Sequence, residues 1–309
     1  MIDLRQGVTD YVTLRRALGF KLRGHDRLLT DFVDFLNQTG TATVTTQLAL
    51  TWATTPANVQ PVRWKQRLSV VRGFSRYLHT LDPSIEVPAP DLLMHRHRRP
   101  TPYLYSEAEI ADLLVAAGTI SPPLRALTYQ TLFGLLAATG MRLGEAIRLD
   151  RADLDLEAGL LQIRQTKFNK SRQLPLHPTT VAALDEYARQ RERLCSKPRV
   201  PSVFVSTRGT RLIDVCVRRV FAQLAARIGL KPRAGSGRPR IHDLRHTFAV
   251  TTLRDWYRAR VDVTSKLPLL SAYLGHVNPI STYWYLQAAP ELLALAAERL
   301  EHRGEGRLQ

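Results

Sequence analysis

One segment limits the architecture more than any other. Between Pro83 and Pro102 the chain carries three further prolines, Pro88, Pro90 and Pro100, and the basic run His95-Arg96-His97-Arg98-Arg99. Proline lacks a backbone donor and biases the residue before it toward extended conformations, and clustered like charges resist packing. A hydrophobic core does not pass through such a stretch, so a chain of 309 residues must collapse separately on either side of it. We read a helical domain over 1–90, a basic interdomain linker over 91–105 and a second domain over 106–309.

The apolar spacing gives each side its class. Leu28, Leu29, Phe32, Phe35 and Leu36 fall on one stripe of a helix, and Val70, Val71, Phe74, Tyr77 and Leu78 repeat the pattern. A polar stretch from Thr39 to Thr46, a short helical piece through Trp52 and breaks at Pro56 and Pro61 complete four or five helices. The second domain opens at Ser106, which forms an S-x-x-E capping box with Glu109 ahead of Ile110, Leu113 and Leu114. A helix from about Leu124 to Thr139 stops at Gly140, which can turn the chain through a left-handed conformation. Leu160–Arg164 and Arg172–Leu176 read as strands of a hairpin around 166–170, with Val203–Val205 as a candidate third strand. Helical segments resume at Thr180–Leu194, Asp214–Ile228, His242–Arg258, Leu267–Leu274, Pro279–Leu286 and Pro290–Leu300. The expected fold is mainly α with a small β-sheet, an α+β domain preceded by an all-α domain.

Charge narrows the partner. Lys and Arg number 44 against 27 Asp and Glu, a formal charge of +17, so nucleic acid is the first polyanion to consider. Two cysteines, Cys195 and Cys216, lie in segments read as helical and outside any CxxC pair, so we expect neither a disulfide framework nor a zinc site. The amino terminus shows no apolar signal region, and no apolar run approaches the ~18 residues needed to span a bilayer. A cytoplasmic, nucleoid-associated protein is the expectation, with no membrane contact.

The chemistry-bearing residues recur in a fixed order. They are Ala138-Thr-Gly-Met-Arg142-Leu-Gly-Glu145, Lys167 within Lys167-Phe-Asn-Lys170, His242-Asp-Leu-Arg245-His246, Leu274-Gly-His276, and Tyr285 nine residues after that histidine. His242 and Arg245 are spaced to share one face of a helix. This order and spacing resemble the tyrosine recombinase, or phage integrase, family over about residues 103–290, and the preceding helices look like that family's core-binding domain, so the first domain is expected to be a helical DNA-binding domain.

The resemblance implies site-specific DNA recombination through a covalent 3′-phosphotyrosine intermediate, with no cofactor and no metal. The residue types suit that chemistry independently. A phosphodiester gathers negative charge on its nonbridging oxygens in the transition state, and Arg142 and Arg245 present permanently charged forks that fit them. By resemblance Tyr285 is the nucleophile, conserving the bond energy for rejoining, Lys167 protonates the leaving 5′ oxygen with Lys170 as the rival, His242 accepts or shares the tyrosine proton, and His276 hydrogen-bonds a nonbridging oxygen. Tyr283 is the rival nucleophile, but at ~3.6 residues per turn it lies roughly 200° from Tyr285 and is expected to pack instead.

Two departures stand out. Phe168 replaces the usual glycine of the hairpin pattern, and Asp255–Lys266 lengthens the interval between the histidine motifs, which suggests a subgroup-specific loop. After Tyr285, Pro290–Leu300 reads as an amphipathic helix that either folds on its own domain or is exchanged between protomers. Arg63, Lys65 and Arg67 beside Trp64, the linker residues Arg96, Arg98 and Arg99, and Arg238 and Arg240 in the basic loop 233–240 are expected phosphate contacts. The partners implied are double-stranded DNA held by a homotetramer on two duplexes, with accessory recombinases or DNA-bending proteins, and integration, excision and transposition all stay open. The chain's length suggests a simple core site without a further arm-binding domain. A type IB topoisomerase and a noncatalytic DNA-binding protein of the same fold are the alternatives, while a two-metal nuclease would need a carboxylate cluster that the motifs do not supply.

Overall fold

The computed structural model describes residues 3–22, 24–41, 43–93, 101–164, 171–195, 197–233, 235–276, 278, 280–288 and 292–293. Lys167, Lys170, Arg96, Arg98 and Arg99 lie outside the described residues, as does nearly all of the helix expected at 290–300. The chain forms two compact units, residues 1–99 and 100–309.

The first unit holds four described helices: α1 (Leu4–Ala17), α2 (His25–Gln38), α3 (Thr46–Thr54) and α4 (Pro61–His79). Their starts follow from side-chain chemistry. Asp3 accepts hydrogen bonds from the amides of Arg5 and Gln6, Thr45 accepts from that of Leu48, and Pro61 opens α4, where its missing donor costs nothing. The stripes expected from the sequence converge on one core, in which Leu29, Phe32, Leu36, Leu68, Val71, Phe74 and Leu78 are all buried.

The second unit opens with α5 (Glu107–Gly118), α6 (Pro123–Thr139) and α7 (Leu143–Arg148). The reciprocal Ser106–Glu109 capping box starts α5. Gly140 ends α6 at φ +59°, and its carbonyl is thereby turned toward α10. Strands β1 (Leu154–Asp155), β2 (Leu160–Ile163) and β3 (Arg172–Pro175) form an antiparallel sheet in that order. Leu161 faces Leu174 across it, and both are buried. The third strand is thus Leu154–Asp155 and not Val203–Val205. Around the latter, Ser202 and Val205 make only single bridges, to Asp150 and Arg211, because the chain there fills the core with Val203 and Phe204 without running alongside a partner.

Helices α8 (Pro178–Leu194) and α9 (Asp214–Arg227) pack around the core that contains the sheet, and α10 (Asp243–Arg258), α11 (Val263–Leu274) and α12 (Ile280–Ala288) enclose a second core through Leu253, Leu267, Leu270, Leu274 and Tyr285. Two sequence expectations need correction here. The interval Asp255–Lys266 is mostly helix: α10 runs to Arg258, and Asp262 caps α11 by accepting from the Thr264 amide, leaving only 259–262 between the two helices. Cys195 lies just past the end of α8 and only Cys216 is helical; both are free thiols. In the basic loop, Arg233 is anchored: it donates to the Leu104 carbonyl, pairs with Glu109 at 2.7 Å and lies over the Tyr103 ring. No helix among the described residues is long and apolar enough to cross a membrane.

Candidate active site

The site is assembled where the α6–α7 turn, the first turns of α10 and the carboxyl end of α11 meet. Arg142 precedes α7, its backbone N–H and its guanidinium both donating to the Glu145 carboxylate, at 3.0 and 2.9 Å. Arg245 projects from α10 and is only 2% exposed. Two like charges are brought together because adjacent carbonyls at the end of α11 receive them: Arg245 donates to Leu274 and Arg142 to Gly275, at 2.8 and 3.0 Å. The negative end of the helix dipole offsets their repulsion. Arg245 is held also by the Gly140 carbonyl at 2.8 Å. Burial, then the charge of Arg142, lowers its pKa to about 10, which still leaves it a cation at neutral pH.

A third arginine completes the scaffold. Arg172, the first residue of β3, donates to both oxygens of Glu145 and to the Tyr273 carbonyl. Burial alone would raise the Glu145 pKa, but the Arg172 hydrogen bonds and charge, with those of Arg142, outweigh it and hold the carboxyl below its ordinary value. Glu145 is therefore an ion between two guanidinium groups. Arg142 keeps 38% of its side chain open to solvent and Arg172 only 13%, so Arg142 presents the accessible face.

The imidazoles line the other side. His276 follows Gly275, shares a hydrogen bond with the buried Thr282 hydroxyl at 2.7 Å, and its ring stacks on that of Tyr285 at 6.0 Å. Its pKa is lowered to about 3, by burial first and then by Arg245, Arg142 and Arg172. His242, at the start of α10 and open to solvent on one face, is lowered to about 4 by the protein mass around its ring, then by His246 and Arg245. Both rings are neutral at pH 7, a state suited to accepting a proton or to hydrogen-bonding an anion. Tyr285 is 2% exposed on α12, and its hydroxyl meets Nδ1 of His246 at 3.3 Å. Tyr283, expected to pack, is instead 46% exposed, because the half-turn between them directs one ring inward and the other outward.

Of the residues singled out from sequence, the structure brings together Arg142, His242, Arg245, His276 and Tyr285. It also adds His246, Asp243, Glu145, Arg172 and Thr282, to which sequence reasoning gave no role at the site. His246 carried a usable signal, since it sits one helical turn after His242 and next to Arg245. Arg172 carried none, because its partners lie up to 101 residues away. No cluster of three metal-ligating side chains occurs among the described residues. Of the expected phosphate contacts, Arg63, Lys65, Arg238 and Arg240 are exposed, and Arg240 is also paired with the buried Asp243 at 2.8 Å. Arg67 is turned inward over the Trp52 ring, donating to the Trp52 carbonyl.

The phage integrase family model matches residues 105–291, the stretch that contains every one of these site residues. The chain belongs to this family, the tyrosine recombinases. Membership makes it a recombinase of the site-specific class. A relative from Sinorhizobium fredii described as "Putative integrase/recombinase y4rB" is 45% identical over 99% of this chain and 100% of its own length. Solved structures share the fold at low identity. The XerH site-specific recombinase bound to palindromic difH substrate in a post-cleavage complex is 18% identical with TM-score 0.66, covering 91% of this chain and 80% of that one. The lambda integrase tetramer bound to a Holliday junction is 16% identical with TM-score 0.59, covering 90% and 79%.

Proposed function

We propose that this recombinase cleaves and rejoins double-stranded DNA through a 3′-phosphotyrosine formed on Tyr285. The observation that carries the reading is the convergence of Arg142, Arg245, His276 and the Tyr285 phenol around the carboxyl end of α11, with His242 beside His246 at the start of α10. Arg142 and Arg245 meet the nonbridging oxygens as charge develops there, already fixed by carbonyls and so needing no reorganisation. His276 adds a hydrogen bond to one of those oxygens, and His242 is placed at the solvent-open mouth. Lys167, between β2 and β3 in the sequence, supplies the proton for the leaving 5′ oxygen, with Lys170 as its rival. Residues 1–90 serve as the core-binding domain and the basic segment 91–105 as an interdomain linker whose arginines contact the phosphate backbone. Partners of the described relatives favour DNA as the substrate, and a tetramer on two duplexes as the working assembly, since lambda integrase takes that form on a Holliday junction.

The test uses nicked suicide duplexes tiled from the DNA flanking the gene, incubated without metal. Wild type is expected to give a covalent protein–DNA adduct that Tyr285→Phe abolishes and Tyr283→Phe retains. Adduct lost only in Tyr283→Phe would move the nucleophile, and specific binding with no adduct in any variant would favour a noncatalytic relative.

A further inference from the structure

We infer that His246, oriented by Asp243, is the base that takes the phenolic proton from Tyr285. The inference rests on the reading of Tyr285 as nucleophile. It comes from the hydrogen-bonding of the hydroxyl itself: it meets the His246 imidazole through Nδ1 at 3.3 Å, from the ring that packs at 5.5 Å against the phenol. His242 lies one ring further out, 4.9 Å from His246 and edge-on to it.

The surroundings of His246 suit the task. Its second nitrogen, Nε2, faces the Asp243 carboxylate at 4.0 Å. The Asp243 carboxylate is fully buried and paired with Arg240, whose backbone N–H and guanidinium donate to it at 2.9 and 2.8 Å. That negative charge favours the tautomer with its proton on Nε2, which leaves the Nδ1 lone pair directed at Tyr285. It also stabilises the imidazolium once the proton has moved. The Trp284 ring closes another side of the imidazole at 5.4 Å and shields the transfer from water. Among the described residues, the titratable and charged groups around His246 include Asp243, Arg245 and His242 on its own helix and its approach, Tyr285 on α12, and His276 ahead of α12, with Arg240 acting through Asp243.

The step balances without a further reagent. The Tyr285 O–H bond breaks and its proton goes to Nδ1 of His246, the freed electron pair forms the bond to phosphorus, and the phosphorus–5′ oxygen bond breaks with a proton supplied to that oxygen by the leaving-group acid. On rejoining, the 5′ hydroxyl attacks phosphorus and gives its proton back to the leaving-group acid, the phosphorus–phenolic oxygen bond breaks, and His246 returns its proton to the departing phenolate.

The experiment is single-turnover cleavage of the suicide duplex between pH 5.5 and 9, comparing wild type, His246→Asn and His242→Asn. Asparagine places an amide near the Nδ1 position, so it can keep the hydrogen bond to Tyr285 but cannot accept a proton. The expected result is a loss of ~10²–10⁴-fold in cleavage for His246→Asn, with DNA affinity retained. Its rate then climbs with pH toward the phenol's own range, where wild type levels off. A 5′-bridging phosphorothiolate, which needs no leaving-group acid, is expected to leave that deficit in place. His246→Gln, closer in volume, serves if the asparagine variant does not fold. A His246→Asn enzyme that cleaves within threefold of wild type with the same pH profile overturns the inference, as does transfer of the lost pH limb to His242→Asn. Either result leaves Tyr285 as nucleophile standing, whereas a wild type that forms no adduct sinks both.

Discussion

Glu145 shows how a single buried carboxylate organises the cationic half of the site. It is 2% exposed at the side chain, accepts from Arg142 on one side and Arg172 on the other, and so links the α6–α7 turn to the first residue of β3. Replacing it with glutamine leaves two guanidinium groups facing a neutral amide. Breaking a fully buried pair costs ~3–5 kcal/mol, but Arg142 is partly open to screening water, so we expect a loss of about 2 kcal/mol at neutral pH. The dependence on pH has a definite sign. The folded carboxyl titrates below its ordinary 4.5, so between those two values the unfolded chain binds the extra proton. The contribution of Glu145 is therefore complete above about pH 5 and is lost as the pH falls through the folded value. Urea unfolding followed from pH 7 to pH 3 should show the gap between wild type and Glu145→Gln narrowing across the acid end of that range. A gap that stays constant would mean that the charge of Glu145 does not stabilise the fold.

At the scale of elements, the α6–α7 turn is where local chain chemistry and the site coincide. Gly140 adopts φ +59°, and a Cβ built there would lie 2.6 Å from the Phe248 ring. Its carbonyl is one of the two that hold Arg245. Gly140→Ala should therefore cost ~1–2 kcal/mol in backbone strain and a further ~1–3 kcal/mol in overpacking. Because Arg245 moves with its anchor, cleavage should fall more than DNA affinity, which a comparison of single-turnover rates with filter-binding constants would detect. Equal losses in both would make the turn merely structural. This turn was legible in the sequence, as was the start of α5, because a helix stop at glycine and a capping box are written within four residues. The extra strand was not: Leu154–Asp155 is two residues long, too short for any alternation, and pairs only because β2 runs beside it. The stretch after Asp255 was misjudged for a related reason, since its polar residues lie on the exposed faces of two helix ends and hide their buried partners Val263 and Leu267. Arg172 illustrates the remaining limit. Its role depends on contacts 27 residues or more away along the chain, which no periodicity records, whereas the spacing of His246 from His242 pointed to the site but not to its contact with Tyr285, 39 residues away.

Across the whole molecule, a formal charge of +17 makes salt the variable that separates phosphate contact from internal packing. If six or more phosphates are neutralised, the plot of log affinity against log salt should have a slope of about −5 or steeper, a loss of ~10³-fold or more between 50 and 200 mM. The three basic residues at the start of α4 should then divide. Arg63 and Lys65 are exposed, so Arg63→Gln and Lys65→Gln should each reduce the steepness of the slope by about 1 and leave stability unchanged. Arg67 is committed inside its own unit: its guanidinium lies 3.7 Å from the Trp52 ring centre, donates to the Trp52 carbonyl at 3.0 Å and pairs with Asp31 at 3.6 Å. Burial lowers its pKa ahead of the opposing effect of Asp31, the mark of a cation drawn into the fold. Arg67→Gln should thus keep the salt slope and weaken residues 1–99 by about 1 kcal/mol, seen as faster hydrogen exchange in α3 and α4. The reverse pattern, a shallower slope for Arg67→Gln and none for the other two, would show that DNA draws Arg67 away from Trp52 on binding, at the expense of the contacts that join α3 to α4.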